Sequence, residues 1–138
     1  MSLVYLDSSA ILKLLIQEEE SERLTAVINT YLASDDRLVT SALTRVELNR
    51  ARIRNDIGGS QYRFDADSQD AVLDALDIIQ ITESIIDAAS SIPFHVKSLD
   101  AIHLATADLF RDELEVLITY DGNMLKVATL LNLNARVV

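Results

Sequence analysis

The segment LVYLDSSAILKLL, residues 3–15, decides the fold, because a strand pattern changes to a helix pattern in it at one charged residue. Leu3–Leu6 is a short apolar run and predicts a buried strand. Residues 8–17 are apolar all round, which predicts a buried helix. Asp7 stands between the two elements. An ionisable group therefore lies at the rim of the core, where its presence needs an explanation.

Short apolar strands and helices continue to alternate along the whole chain. Further strands are predicted at residues 37–41, 77–81, 115–119 and 135–138. Further helices are predicted at residues 20–34, 42–57, 65–76, 82–90, 98–110 and 122–131. This alternation is typical of a parallel sheet covered on both faces. We therefore predict an α/β fold: a single domain over residues 1–138, with a central, mainly parallel sheet of about five strands and helices on both faces.

Local signals predict where some helices begin and end and which face they bury. Gly58 and Gly59 predict the end of the helix over residues 42–57. Ser98 is the predicted N-cap of a later helix. The helix over residues 20–34 is amphipathic, with its apolar residues on one face at Leu24, Val27, Ile28, Tyr31 and Leu32.

The composition argues against several classes of protein. The chain has 138 residues, of which 49% are hydrophobic, which suits one core and is too short for two. It has no cysteine, which excludes disulfides and thiolate metal sites. No apolar run approaches the roughly 20 residues of a membrane span, and the first residues lack a signal-peptide pattern. We expect a soluble cytoplasmic protein without membrane contact.

The net charge of −10 argues against binding to nucleic acid, which depends on lysine and arginine. The charge is uneven, however. Between residues 45 and 63 only Glu47 and Asp56 oppose a cluster of five arginines: Arg45, Arg50, Arg52, Arg54 and Arg63. Such a cluster is either a solvated helix face or a surface that binds phosphate groups. An acidic protein thus keeps one place where a negatively charged partner could bind.

Four acidic residues follow strands, at positions where an open parallel sheet binds its ligands. Asp7 and Asp121 stand at the carboxyl ends of predicted strands. Glu47 and Asp100 lie near the beginnings of helices that follow strands. All four side chains could therefore be directed at one place on one edge of the sheet.

Each acid also has an ordinary structural explanation. Asp7 could be a helix N-cap, and Asp100 could oppose a helix dipole. Asp121 precedes Gly122, a common pair in turns. Glu47 could pair with Arg50 one turn further along its helix.

The ordinary explanation fits Glu47 least well. At about 100° per residue, its side chain projects between Leu43 and Ala51, inside the apolar arc of the helix. Arg50 and Arg54 share that arc, which leaves a buried ion pair open.

Several carboxylates in one pocket repel each other and raise each other's pKa, unless a cation neutralises them. Mg²⁺ and Mn²⁺ prefer oxygen ligands, and Mg²⁺ keeps several waters. A carboxylate-bound metal of this kind can activate water for attack on a phosphodiester. Taken together, the four acids are therefore harder to explain as separate structural residues, and a hard cation between them would make the cluster tolerable.

Four segments of the sequence resemble the signature segments of the PIN domain, and more narrowly those of VapC-type toxins of bacterial and archaeal toxin–antitoxin pairs. They are YLDSSAILKLL, VTSALTRVEL, SLDAIHLATA and LITYDGNML, and they keep the family's order and spacing over nearly the whole chain. The resemblance implies a metal-dependent endoribonuclease. Its metal-binding and catalytic acids would be Asp7, Glu47, Asp100 and Asp121, holding Mg²⁺ or Mn²⁺.

The resemblance also implies supporting residues and partners. A hydroxyl after the second strand would be supplied by Ser41 or Thr40, and Thr119 and Ser8 match nearby polar positions of the pattern. The implied partners are an RNA substrate, a cognate antitoxin protein and a second copy of the chain in a homodimer. RNA or a partner protein would contact the basic cluster through Arg45, Arg50 and Arg54.

Other readings remain open at this stage. A PIN-like binding module without activity is one. A haloacid-dehalogenase-like phosphatase is another, although its chemistry needs an aspartate where Ser9 stands. A receiver domain needs a pocket lysine, for which Lys97 is a poor candidate. His103 lies one turn after Asp100 and could bind a metal, but we expect it to be packed or hydrogen-bonded, because an oxygen-rich site favours a hard cation.

Overall fold

Five parallel strands form one sheet at the centre of the molecule. The computed structural model describes residues 1–138. The strands are β1 (Leu3–Leu6), β2 (Arg37–Ser41), β3 (Asp77–Ile79), β4 (Leu114–Ile118) and β5 (Ala135–Arg136). Their order in space is β3-β2-β1-β4-β5, and every neighbouring pair is parallel. The predicted parallel sheet of about five strands is confirmed.

Seven helices connect and flank the strands. They are α1 (Ser8–Leu15), α2 (Ser21–Ala33), α3 (Leu43–Ile57), α4 (Ala66–Asp74), α5 (Glu83–Ser90), α6 (Ser98–Leu109) and α7 (Gly122–Leu130). None of them has the length and the apolar character needed to cross a membrane. Each predicted helix is present, and its ends differ from the prediction by at most two residues.

The two faces of β1 belong to two different hydrophobic clusters, because successive side chains of a strand point to opposite faces. Val4 and Leu6 pack with buried residues of α1 and α2. Tyr5 packs on the opposite face with buried residues of α6 and α7. Helices therefore cover both faces, as predicted.

The register of the central strands determines which residues meet at the carboxyl edge of the sheet. Leu6 of β1 is level with Ile118 of β4. The next residues in the chain, Asp7 and Thr119, therefore leave the sheet side by side. Because all strands are parallel, the residues that follow β1, β2 and β4 emerge at this same edge.

Two local predictions were wrong. Ser98 does not cap α6; it is the first helical residue, and the N-cap is Lys97, whose side chain makes no capping bond. Leu32 was predicted on the buried face of α2 but is 47% exposed, while Leu24 and Ile28 are buried. Leu32 lies in the last turn of α2, where Tyr31 rather than Leu32 packs against the core cluster. The stop at Gly58 and Gly59 is confirmed, and Gly59 supplies the positive φ of 64°.

Candidate active site

Asp7 both ends β1 and begins α1. Its Oδ1 accepts a hydrogen bond from the backbone N–H of Ala10 at 3.0 Å, so it is the N-cap of the helix. The side chain is nevertheless inside the protein, since the residue is only 2% exposed. Capping explains the aspartate locally, but a cap does not have to be buried.

Two hydroxyl groups hold the Asp7 carboxylate in place. The Ser9 hydroxyl donates to Oδ1 at 2.6 Å, and the Thr119 hydroxyl donates to Oδ2. Each hydroxyl also accepts a backbone N–H from the segment after β4: Ser9 from Tyr120 at 2.9 Å and Thr119 from Asp121 at 3.0 Å. This network ties the end of β1 to the end of β4 through the carboxylate itself.

Burial raises the pKa of Asp7 above its ordinary value. The hydrogen bonds from Ser9, Thr119 and the Ala10 N–H oppose this shift, and so does the nearby ring of His103. The rise shows that the donors do not fully replace the water that a charged carboxylate has lost.

Asp100 and Asp121 lie at the beginnings of two helices. Asp121 caps α7 by accepting the Met124 N–H at 2.8 Å, and Asp100 is in the first turn of α6. Burial raises the pKa of Asp100, and the negative charges of Asp121, Asp7 and Glu47 add to the rise. These four acids therefore share one electrostatic environment at the carboxyl edge of the sheet.

Glu47 does not pair with Arg50 as its helix spacing allowed; that reading was wrong. Its Oε1 lies 2.6 Å from Nε2 of His103 on α6. On the other side of the ring, Nδ1 lies 2.6 Å from the hydroxyl of Tyr5 on β1. His103 is fully buried, as expected for a packed and hydrogen-bonded histidine.

The hydroxyls predicted after β2 have local partners. The Thr40 hydroxyl donates to the carbonyl of Leu6 at 2.7 Å and lies 2.7 Å from the Thr44 hydroxyl. The Ser41 Oγ accepts the backbone N–H of Leu43 at 3.1 Å. Both residues are buried, and neither bonds to one of the four acids.

A groove of about 350 Å³ runs beside Glu47, between α1, α3 and the beginning of α6. Its wall includes Ser8, Leu99, Arg50 and Arg54. Arg45 lies outside it, in a separate recess with Asn49 and Gln69 among other residues. The arginines of the basic cluster form no salt bridge, and Arg45, Arg50 and Arg54 are exposed.

The donor chemistry of the site fits a hard divalent cation. Its side chains offer carboxylate oxygens. Burial is the main cause of the raised pKa of Asp100, and a cation would relieve the repulsion from the neighbouring acids that adds to it. As the side chains stand, no three acidic or histidine residues are gathered to hold one ion. Mg²⁺ commonly binds through one or two carboxylates and keeps several waters, so such a set is not required.

Sequence reasoning missed two residues of the site. It selected Ser8, but the hydroxyl on Asp7 comes from Ser9, and Ser8 lines the groove instead. It treated Tyr5 only as part of a buried strand, although the phenol bonds to His103. A signal for Ser9 was available, since the second residue after an N-cap lies in the same turn as the cap.

The family model for the PIN domain matches residues 4–130. Two similar proteins come from Mycobacterium tuberculosis. "Ribonuclease VapC47" of strain CDC 1551 / Oshkosh is 39% identical over 124 residues, which are 89% of this chain and 88% of that protein. "Ribonuclease VapC46" of strain ATCC 25618 / H37Rv is 38% identical over 134 residues, which are 96% of this chain and 95% of that protein.

Solved structures share the fold at lower sequence identity. The complex described as VapBC2 from Rickettsia felis bound to a DNA fragment from their promoter contains a chain with TM-score 0.70 and 14% identity, covering 99% of this chain and 98% of its own. FitAcB from Neisseria gonorrhoeae contains one with TM-score 0.65 and 17% identity, covering 96% and 95%. These likenesses support the parallel α/β architecture.

Proposed function

The chain belongs to the PIN domain family, and from this membership we propose that it is a metal-dependent endoribonuclease, the toxin of a type II toxin–antitoxin pair. The observation that supports this most directly is the negative charge collected at the carboxyl edge of the sheet. Burial raises the pKa of Asp100 there, and the charges of the three other acids raise it further. The two mycobacterial relatives named above are both called ribonucleases.

In this proposal Asp7, Glu47, Asp100 and Asp121 hold the cation and are the catalytic residues, and the cation is Mg²⁺ or Mn²⁺. When bound, such a cation activates water and neutralises charge on a phosphodiester. Ser41, Thr119 and Ser8 are the supporting polar residues. Thr119 supports the proposal best, because its hydroxyl donates to Asp7.

The protein itself contributes one buried carboxylate, that of Asp7, and three partly exposed ones beside it. Asp7 is prevented from rotating by bonds to both of its oxygens. Arg50 and Arg54 line the groove beside Glu47 without acidic partners, so their guanidinium groups are free to bind RNA phosphates. A groove with a metal-binding end and a phosphate-binding wall suits a single strand lying across the sheet edge.

The proposed antitoxin and homodimer rest on the resemblance to VapC-type toxins, and the structural neighbours include VapBC2 and FitAcB. The proposed RNA substrate rests on the two relatives called ribonucleases. We propose a cognate antitoxin protein, a homodimer and an RNA substrate in the cytoplasm. Exposed apolar side chains suit protein contacts on α3 and α6, where Val46 is 57% and Leu99 is 48% exposed. Residues 1–138 would act as one PIN-like domain.

The structure argues against the phosphatase alternative. That chemistry needs an aspartate where Ser9 stands, and the Ser9 hydroxyl is already bonded to Asp7. A receiver domain is also disfavoured, because Lys97 is exposed and makes no bond to an acid of the site. A binding module without activity remains as an outcome of the experiment below.

The test is cleavage of mixed RNA by the purified chain in Mg²⁺, in Mn²⁺ and in excess chelator, followed by sequencing of the new RNA ends. We expect cleavage with either metal and none with chelator. Release of phosphate from a phosphate monoester, without cut RNA, would support the phosphatase instead. Intact RNA under all conditions, with a cation bound, would identify a binding module.

A further inference from the structure

We propose that His103, itself held by Tyr5, is a positioning residue that orients the Glu47 carboxylate at the proposed metal-binding edge. The inference rests on the proposed function, because it assigns Glu47 to the cation. It assigns a role to two buried groups that no step of the proposed chemistry uses. Both belong to the interior of the protein and would not touch the cation or RNA.

Three elements of the fold meet in this chain of bonds. Glu47 is on α3, His103 is on α6, and Tyr5 is on β1, the central strand of the sheet. Both distances, from Glu47 Oε1 to Nε2 and from Nδ1 to the Tyr5 hydroxyl, are 2.6 Å. The rings of Tyr5 and His103 pack edge to face at 78° with centroids 5.9 Å apart. The imidazole therefore has little freedom to turn.

The burial of these groups differs in a way that suits positioning. Tyr5 and His103 are fully buried, whereas the Glu47 side chain is 22% exposed. Only its Oε1 is hydrogen-bonded within the protein, and Oε2 has no partner there. One oxygen is thus anchored to the core while the other remains available at the surface.

The bonding pattern assigns the ring protons. An ionised carboxylate only accepts hydrogen bonds, so Nε2 must carry the proton that goes to Glu47. In the neutral ring Nδ1 then accepts, and the Tyr5 hydroxyl donates to it. Both ring nitrogens are occupied. His103 is therefore not a metal ligand in this arrangement, which resolves the alternative that its spacing from Asp100 had raised.

Outer residues that hold metal ligands commonly contribute about 10–100-fold to metal affinity. We expect His103→Asn, which keeps an amide near Tyr5 but does not reach Glu47, to weaken Mn²⁺ binding by about that factor. His103→Gln, whose longer side chain reaches Glu47, should recover part of the loss. The kcat for RNA should fall in parallel while KM changes little, because His103 does not contact RNA.

A double-mutant cycle in Mn²⁺ affinity, measured by titration calorimetry, separates positioning from general damage to the fold. In a Glu47→Gln background, His103→Asn should lower the Mn²⁺ affinity much less than it does in the wild type. In the matched Asp121→Asn background, His103→Asn should lower the Mn²⁺ affinity by the same factor as in the wild type. Equal losses in all three backgrounds, or no loss in the wild type, would overturn the proposal.

Two further measurements cover a His103→Asn variant that fails to fold. Tyr5→Phe keeps the aromatic ring and removes only the hydroxyl, so it should fold and weaken Mn²⁺ binding several-fold, again depending on Glu47. In the wild type, ¹⁵N NMR of the imidazole should find the proton on Nε2. A proton on Nδ1 alone would overturn the proposal.

These readouts are independent of RNA. If the wild type binds Mn²⁺ and shows the expected coupling but cuts no RNA, the proposed function fails and the positioning role stands. If it cuts RNA without coupling between His103 and Glu47, the positioning role fails and the function stands. Wild-type protein that binds no Mn²⁺ would overturn the positioning role directly.

Discussion

The sheet side and the helix side of the carboxyl edge are built in opposite ways. On the sheet side, Asp7 is 2% exposed and accepts bonds from Ser9, Thr119 and the Ala10 N–H. On the side of α3, Arg50 and Arg54 are exposed and have no acidic partner.

The difference fits two separate proposed roles at this edge, cation binding by ordered side chains and phosphate binding by exposed ones. A group that must hold a small ion at fixed distances gains from being ordered before the ion arrives, since ordering then costs nothing on binding. Side chains that follow a flexible phosphate backbone need freedom instead, and exposure gives it to them. Changes to Asp7 and its hydrogen-bond donors should therefore affect the chemical step, and changes to the arginines of α3 should affect the salt dependence of RNA binding.

The largest effect is expected from Asp7→Asn. Asparagine caps helices about as well as aspartate, so α1 should remain intact. In the proposed function Asp7 is a direct metal ligand, so its loss should lower RNA cleavage by more than about 100-fold, beyond what outer residues commonly contribute. Asp100→Asn should behave in the same way. The measurement is cleavage of mixed RNA in Mg²⁺ together with Mn²⁺ titration.

Asp112→Asn is the matched control, because Asp112 is an exposed acid just before β4, at the opposite edge of the sheet. It should keep wild-type cleavage. If Asp7→Asn or Asp100→Asn also keeps wild-type cleavage in Mg²⁺, the assignment of the metal site is wrong.

Divalent cations should stabilise the protein, because in the proposed function they bind the native state at the four acids. At a hundredfold excess over Kd, the free energy of unfolding should rise by about 2.7 kcal/mol. Calorimetric melting in Mg²⁺ and Mn²⁺, with Ca²⁺ as comparison, gives the measurement. No change in melting temperature at millimolar Mg²⁺ or Mn²⁺ would contradict a preformed site.

This stabilisation should depend on pH in a defined direction. The pKa values of Asp7 and Asp100 are raised in the folded protein. Without a cation, their contribution to stability is therefore present below the unfolded pKa of about 3.9 and is lost as pH rises through the folded values. A cation competes with those protons, so its effect on the melting temperature should be larger at pH 8 than at pH 5.

Thr119→Val should produce an intermediate effect. It removes the hydroxyl that donates to Asp7 and accepts the Asp121 N–H, but it keeps the shape of the side chain. We expect cleavage to fall by about 10-fold, within the range found for partners of metal ligands. Thr129→Val on α7, where the hydroxyl bonds only to the carbonyl of Leu125, is the control. Equal activity of the two variants would mean that Asp7 needs no orientation by Thr119.

The smallest effect is expected from Arg50→Ala combined with Arg54→Ala. Each lost phosphate contact lowers the salt slope by roughly 0.7 for single strands, so the pair should lower it by about 1.4. RNA binding should weaken several-fold at low salt across unrelated sequences, and kcat should be nearly unchanged. Circular dichroism of the variant should match the wild type, since Glu47 bonds to His103 and not to Arg50.

The control removes the same charge at the opposite edge of the sheet, by Arg37→Ala combined with Arg111→Ala. These arginines form exposed pairs with Asp77 and Asp108, which contribute little to stability. If the salt slope of RNA binding changes equally in both double variants, the effect comes from net charge and not from contacts in the groove. Arg50 and Arg54 would then have no specific role in RNA binding.

The sequence by itself determined the strands, the helices, the parallel sheet and the edge where the four acids collect. These follow from patterns along short stretches: Leu3–Leu6 buries both its faces, and Asp7 and Asp121 stand where strands end. Such patterns are local, because the period of apolar residues distinguishes strand from helix without knowledge of the partners.

Only the tertiary structure decided which side chains bond to which. The spacing along α3 allowed an ion pair between Glu47 and Arg50, yet the partner of Glu47 is His103, 56 residues away. A buried imidazole without a hydrogen-bond partner costs free energy, whereas Arg50 loses nothing by remaining in water. Ser9 likewise meets Asp7 together with Thr119, which is 112 residues from the aspartate, because the register of β1 and β4 makes them neighbours. Such partners depend on how elements are rotated and aligned in the assembled core, and no single stretch of sequence carries that information.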